Sequence, residues 1–144
     1  MCRICWRLDF EFVKNIKFVI VDVDGVLTDG TIYIDSQGFE TKAFSVLDGT
    51  GISYLHRVSI KTAIISGRNC NAVTHRAKEL GIEDVYQGIK NKLDAYNQLL
   101  EKYALRDEEI CYIGDDLIDL PILYRVGFSV AVANASPIVK RQSD

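Results

Sequence analysis

Phe18-Val19-Ile20-Val21-Asp22-Val23-Asp24-Gly25-Val26-Leu27-Thr28-Asp29-Gly30 is an apolar run that passes straight into two aspartates and a glycine. The run reads as a buried strand, predicted over about Lys17 to Val23. Side chains alternate along a strand, so Asp22 and Asp24 are expected on one side, and Gly25 permits a sharp turn after them. Two carboxylates about 4 Å apart repel by roughly 4 kcal/mol at an effective dielectric near 20. Such a pair calls for a cation or a shared proton, and a divalent metal is the simplest answer.

Working outward, strand and helix patterns alternate, the signature of an α/β fold with a doubly wound parallel sheet. Further strands are predicted at about Thr62 to Ser66, Asp84 to Gln87, Ile110 to Gly114 and Ser129 to Val132. Helices are predicted over Asn71 to Leu80, Lys92 to Tyr103 and Ile118 to Val126, with Leu93, Tyr96, Leu99 and Leu100 forming a core-facing stripe. Thr31 to Phe44 breaks the alternation and reads as an inserted β-hairpin over the strand ends. Neither Gly30 to Ser66 nor Lys92 to Gly114 leaves room for a cap domain, so the expected domain is single and capless.

The 144 residues are 48% hydrophobic with a net charge of -3, which suits one domain with a real core. No basic run or membrane-length apolar segment is present, so no nucleic acid or membrane partner is expected, and the reading is a cytoplasmic protein acting on a small molecule. The N-terminal MCRICWRLDFEFVKN is broken by Arg7, Asp9 and Glu11, unlike a signal-peptide core. The four cysteines are expected as thiols; Cys2-x-x-Cys5 has zinc-like spacing but no second ligand pair follows. Cys70, near a helix start, is a place where a thiol pKa can fall, although an ordinary small residue is the plainer reading.

Ligands of open parallel sheets bind outside the carboxyl ends of the strands, and four such junctions here carry chemistry. They hold Asp22 and Asp24; Ser66-Gly67-Arg68; Lys92; and Gly114-Asp115-Asp116 with Asp119 beyond. Together these suit a phosphate monoester, whose hydrolysis needs a nucleophile and charge neutralisation. Asp22 fits a nucleophile forming an aspartyl-phosphate, and Asp24 the acid/base that protonates the leaving alcohol and later takes a proton from water. Ser66 and the amides after it make a phosphate seat. Lys92 opposes the macrodipole in the first turn of its helix, a position that a bound anion explains. Asp115 and Asp116 suit an oxygen-rich Mg2+ site. Taken singly, each has a plain alternative: a helix cap for Asp115 or Asp116, a turn for Ser66-Gly67, a solvated charge for Lys92, Arg68 or Arg76. An EF-hand reading of Asp22 to Gly25 fails, because valine and leucine fall where ligands belong.

Asp22 to Gly30, Ile65-Ser66-Gly67-Arg68, Lys92 and Gly114-Asp115-Asp116-Leu117-Ile118-Asp119-Leu120-Pro121 resemble the four motifs of the haloacid dehalogenase superfamily. Within it the chain is similar to the 3-deoxy-D-manno-octulosonate 8-phosphate phosphatase family from about Lys17 to Pro137, including Lys42-Ala43-Phe44, Tyr86-Gln87-Gly88 and Val130-Ala131-Val132-Ala133. The resemblance implies a Rossmann-like phosphatase domain with Asp22, Asp24 (through its carbonyl) and Asp115 on Mg2+. It also implies Asp116 and Asp119 behind the ligands, Ser66 and Lys92 on phosphate, and Ser45, Asp48, Gly49, Arg68 and Arg76 near the sugar acid. It implies a homotetramer joined through the hairpin, with a glycine-rich tail closing a neighbour's site. The chain stops at Ser136-Pro137-Ile138-Val139-Lys140-Arg141-Gln142-Ser143-Asp144, so that tail and the last helix are expected to be missing. Leu47 and Ser53 stand where relatives carry arginine, which weakens the expectation of an acidic sugar more than that of phosphatase chemistry. The alternatives are a 2-keto-3-deoxy-nonulosonate 9-phosphate or other sugar phosphate as substrate, and a truncated regulatory or scaffold protein. A signalling receiver domain would place its phosphoacceptor after a middle strand and its lysine after a later one, the wrong motif order for this chain.

Overall fold

In a computed structural model that describes residues 13–144, the apolar run becomes a four-residue strand, β1 (Phe18–Val21), at the centre of a parallel sheet. The Cys2/Cys5 pair and the start of the N-terminal segment lie outside the described residues. Two short antiparallel strands follow, β2 (Tyr33–Ile34) and β3 (Glu40–Thr41), then α1 (Val46–Arg57). The chain continues through β4 (Lys61–Ile65), α2 (Asn71–Leu80), β5 (Asp84–Tyr86), α3 (Lys92–Tyr103) and β6 (Ile110–Gly114). It ends with α4 (Leu120–Leu123), β7 (Phe128–Ala131) and α5 (Pro137–Gln142).

The sheet order is β5-β4-β1-β6-β7, with Phe18 level with Lys61 on one side and Ile110 on the other. Both neighbours of β1 belong to crossovers, so alternate residues of the strand face opposite helical layers. Phe18 and Ile20 pack with Tyr96, Leu99, Tyr112 and Ile122; Val19 and Val21 pack with Ile52, Ile64, Val73 and Ala77. Burial on both faces is why the strand is apolar throughout rather than alternating. The chain winds one way from β1 through β4 to β5 and then crosses to β6, so the switch point that opens a ligand crevice lies at the carboxyl end of β1.

The residues from Gly30 to Ser66 form only the hairpin, α1 and β4, and no inserted domain separates Lys92 from Gly114. The hairpin turn is held by Asp35, whose Oδ1 accepts from Gln37 N at 2.8 Å and Phe39 N at 2.9 Å. Helix α1 was not among the elements read from periodicity, because Gly49, Gly51 and Ser53 dilute its apolar stripe. Ser45 is its N-cap and accepts from Leu47 N at 3.1 Å.

The helix expected over Ile118 to Val126 is corrected to a 3-10 turn, Leu117–Asp119, followed by the four-residue α4. Asp116 caps the turn by accepting from Leu117 N at 2.7 Å, while Asp119 folds its carboxylate back onto Asp115 N and Asp116 N at 3.0 and 3.2 Å. Those local bonds compete with regular helix. Strand β5 stops at Tyr86, one residue short of the expected Gln87, where the chain turns at Gly88 with φ +69°; the Gln87 side chain accepts from Cys70 N at 2.8 Å. Cys70 and Cys111 are buried free thiols, and burial pushes the Cys111 thiol up to about 12.

Candidate active site

Strand β1 ends at Val21; Asp22 still donates its amide to Ile113 O at 3.0 Å, in line with the strand, and Asp24 lies in the turn beyond it. Val23 O accepts from Val26, Leu27 and Thr28 N at 3.2, 2.9 and 3.1 Å, a single helical turn that carries Asp24 round. Gly25 makes this turn possible twice over: its φ is +92°, and a Cβ there would lie 2.0 Å from Asp115 Oδ2. Asn134 Nδ2 donates to Gly25 O at 2.8 Å, and Ser136 N to Asp115 O at 2.8 Å, so the segment after β7 locks the two acidic turns together.

The turns open a cleft of about 250 Å³ at the carboxyl edge of the sheet. Asp22, Asp24, Ser66, Arg68, Asp115 and Asp116 form its wall with Gly30, Gly67 and Ile118. Asp22 is 4% exposed. Behind it stands the buried Lys92, whose Nζ is 2.9 Å from Asp22 Oδ1 and 2.7 Å from Asp119 Oδ1. The lysine that opposes its helix dipole therefore already faces two protein anions, which offset the dipole cost without any ligand. Tyr112 OH also donates to Asp119 Oδ1, at 2.6 Å.

Carboxylate oxygens of Asp22, Asp115 and Asp119 lie within 4.8 Å of one another. The three are not equivalent. Asp119 is saturated: Oδ1 accepts from Lys92 and Tyr112, and Oδ2 from two main-chain amides. Asp115 Oδ1 is buried with no hydrogen-bond partner among the described residues. Burial pushes the Asp22 carboxyl up to about 6 although Lys92 pulls the other way. Burial, then the neighbouring Asp22, Asp119 and Asp116, pushes Asp115 up to about 6. An orphaned buried oxygen beside a second under-neutralised carboxylate, with oxygen donors alone, fits a hard divalent cation such as magnesium that keeps several waters. Asp119 orients the loop, and Asp116, exposed, caps its 3-10 turn while lining the cleft.

Ser66 is buried in the cleft wall, its Oγ accepting from Arg68 N at 3.2 Å. Arg68 leans into the hairpin, 2.7 Å from Glu40 Oε2. The remaining sugar-side residues stand apart from the acid cleft. Arg76 bridges Ser45 O at 3.0 Å and Glu79 at 2.9 Å, and its guanidinium lies against Gly49, where a Cβ would stand 2.7 Å from it. Ser45 and Asp48 border a separate hollow with Thr28 and Asp29.

Lys42, whose side chain is 1% exposed, has no role that the sequence alone assigns. Its Nζ bonds to Asp24 Oδ1 and lies 2.6 Å from Glu40 Oε1. A lone lysine in an exposed hairpin carries no local signal of burial, so only the folded chain reveals this contact.

Residues 84–144 match the family model for haloacid dehalogenase-like hydrolases. The chain is 50% identical over 131 residues to 3-deoxy-D-manno-octulosonate 8-phosphate phosphatase of Escherichia coli K12, covering 91% of this chain and 70% of the relative. The crystal structure of that phosphatase from Yersinia pestis superposes with a TM-score of 0.91 at 47% identity, over 93% of this chain and 72% of the other. The Moraxella catarrhalis enzyme, solved with magnesium ion, phosphate ion and KDO, gives 0.91 at 43% identity, over 94% and 78% of the two chains.

Proposed function

Because the chain belongs to the 3-deoxy-D-manno-octulosonate 8-phosphate phosphatase family of haloacid dehalogenase-like hydrolases, we propose that it hydrolyses that phosphorylated sugar acid in a magnesium-dependent reaction. One observation carries the reading: the buried Asp22 carboxylate shares a cleft with Asp24 and with the partnerless Asp115 Oδ1.

Asp22 attacks phosphorus, forming an Oδ–P bond as the bond from phosphorus to the sugar oxygen breaks, and Asp24 delivers a proton to that oxygen. Water then attacks the aspartyl-phosphate, Asp24 takes its proton, and Asp22 is freed with release of inorganic phosphate. Ser66 is placed to seat the phosphoryl oxygens, and Lys92 to hold Asp22 and neutralise the charge gathering on it. Asp22, the Asp24 carbonyl and Asp115 would hold magnesium, which would supply the charge neutralisation that lets two anions meet. Arg68, the cation on the cleft wall, is the group to meet the sugar acid's carboxylate; Ser45, Asp48, Gly49 and Arg76 lie outside that cleft and would reach only a distant part of the substrate.

The reading extends to one catalytic domain acting as a cytoplasmic homotetramer. Ile32, Tyr33, Ile34 and Phe39 are 44 to 67% exposed on the hairpin, an apolar surface suited to a second copy. No helix among the described residues is long and apolar enough to cross a membrane. The decisive experiment is phosphate release from a sugar-phosphate panel including the octulosonate 8-phosphate and the nonulosonate 9-phosphate, with magnesium and with chelator. Magnesium-dependent preference for the octulosonate supports the reading; no release from any substrate overturns it. Light scattering tests the tetramer.

A further inference from the structure

Two lysines are buried among the described residues, and each meets one member of the acid pair. Lys92, from the start of α3, stands against Asp22; Lys42, from the end of the hairpin, stands against Asp24. The first is explained by the nucleophile it neutralises. The second has no partner in the core and is not on the cleft wall, yet its side chain is 1% exposed.

A buried ammonium is costly unless compensated by close anions, so its persistence needs an account. Here charges alternate from the surface inwards: Arg68 to Glu40 Oε2 at 2.7 Å, Glu40 Oε1 to Lys42 at 2.6 Å, and Lys42 to Asp24 Oδ1. The carboxylates of Asp24 and Glu40, one on each side of the ammonium, supply that compensation. One carboxylate oxygen of Asp24 is thus tied down, while its side chain stays 21% exposed at the cleft. Phe44 anchors the end of the hairpin in the core, while its two strands are exposed, so this chain of charges is a second tie between them and the site.

We propose that Lys42 is a positioning residue: clamped by Glu40, it holds the Asp24 carboxylate in the one orientation from which it exchanges a proton with the leaving oxygen and then with water. The inference rests on the acid/base reading of Asp24. A group that fixes orientation acts on the chemical steps rather than on ground-state binding, and misplacement of a reacting group costs about 10²-fold.

The test compares wild type with Lys42→Met on the preferred sugar phosphate and on p-nitrophenyl phosphate, with magnesium. The expected result is a fall in kcat of about 10²-fold on the sugar phosphate with KM nearly unchanged. Nitrophenolate departs without a proton, so with that substrate only the water step is slowed. A burst of one nitrophenolate per site before slow turnover is therefore expected. In Lys42→Ala, added propylammonium should restore part of the lost rate. Should Lys42→Met fail to fold, Glu40→Gln loosens the clamp with Lys42 in place and should give the same burst with a smaller fall in kcat. Unchanged kcat, or a fall with neither burst nor rescue, overturns the positioning role. Wild-type protein inactive on every substrate overturns the phosphatase reading itself.

Discussion

The sheet keeps buried acids at both ends, and they are handled in opposite ways. At the amino edge, Asp84 is 6% exposed and fully served: Lys102 Nζ is 2.6 Å from Oδ1, and Tyr103 OH donates to Oδ2 at 2.5 Å. Glu109 likewise meets Lys17 at 2.5 Å and Arg106 N at 2.9 Å, and the Lys17 hydrogen bond, then that amide, brings its carboxyl down to about 2. At the carboxyl edge Asp22 and Asp115 are pushed up to about 6, and Asp115 keeps an oxygen without a partner among the described residues. One end spends its acids on holding the chain together. The other leaves charge uncompensated, which is what a site for a cation and an anionic substrate requires.

Asp22→Asn should break this contrast most sharply. Phosphate release is expected to fall about 10⁴-fold or more, with melting of the metal-free protein unharmed because a repelling charge has gone. Substantial residual turnover would remove Asp22 from the nucleophile's role. Asp115→Asn comes next: magnesium binding by calorimetry should weaken by at least about 10²-fold, the upper end of what losing even a supporting group costs. Unaltered affinity would place the metal elsewhere.

The amino edge should respond only in stability. Asp84→Ala strands the Tyr103 hydroxyl, so a denaturant melt should show a loss of about 1–3 kcal/mol with kcat unchanged; a matching fall in kcat would join the two ends functionally. The smallest effect is on pH dependence, and its sign differs between ends. Without metal, Asp22 and Asp115 bind protons more tightly when folded, about 6 against 3.8, so their contribution to stability falls as pH rises from about 4 to 6. Glu109 is depressed from 4.5 to about 2, so its contribution is present above about 4.5 and lost as pH falls towards 2. Magnesium needs the carboxylates ionised. Its stabilisation in thermal melts should be present at pH 7.5 and fade towards pH 5; an equal shift at both values would contradict the two raised carboxyls.

Much of this was legible because it is local. Asn71–Leu80 and Lys92–Tyr103 fall where the periodicity puts them, since a helix declares itself at 3.6-residue spacing. The four strand-end junctions converge because a parallel sheet brings its carboxyl ends to one edge. What failed was also local in cause. Ile118 to Val126 had an apolar pattern but spends Asp116 and Asp119 on backbone amides, and α1 hid its stripe among glycines and serines.

The amino-acid sequence by itself determined the α/β class, the order of the four junctions, the inserted hairpin and the residue types gathered at the site. Each of these is a matter of spacing along one chain. Only the tertiary structure decided which carboxylate is left unpaired. It saturated Asp119 with Lys92, Tyr112 and two amides, left Asp115 Oδ1 bare, and brought Lys42 from the hairpin onto Asp24. A charge's surroundings depend on which distant groups fold over it and exclude water, and that is set by packing rather than by spacing.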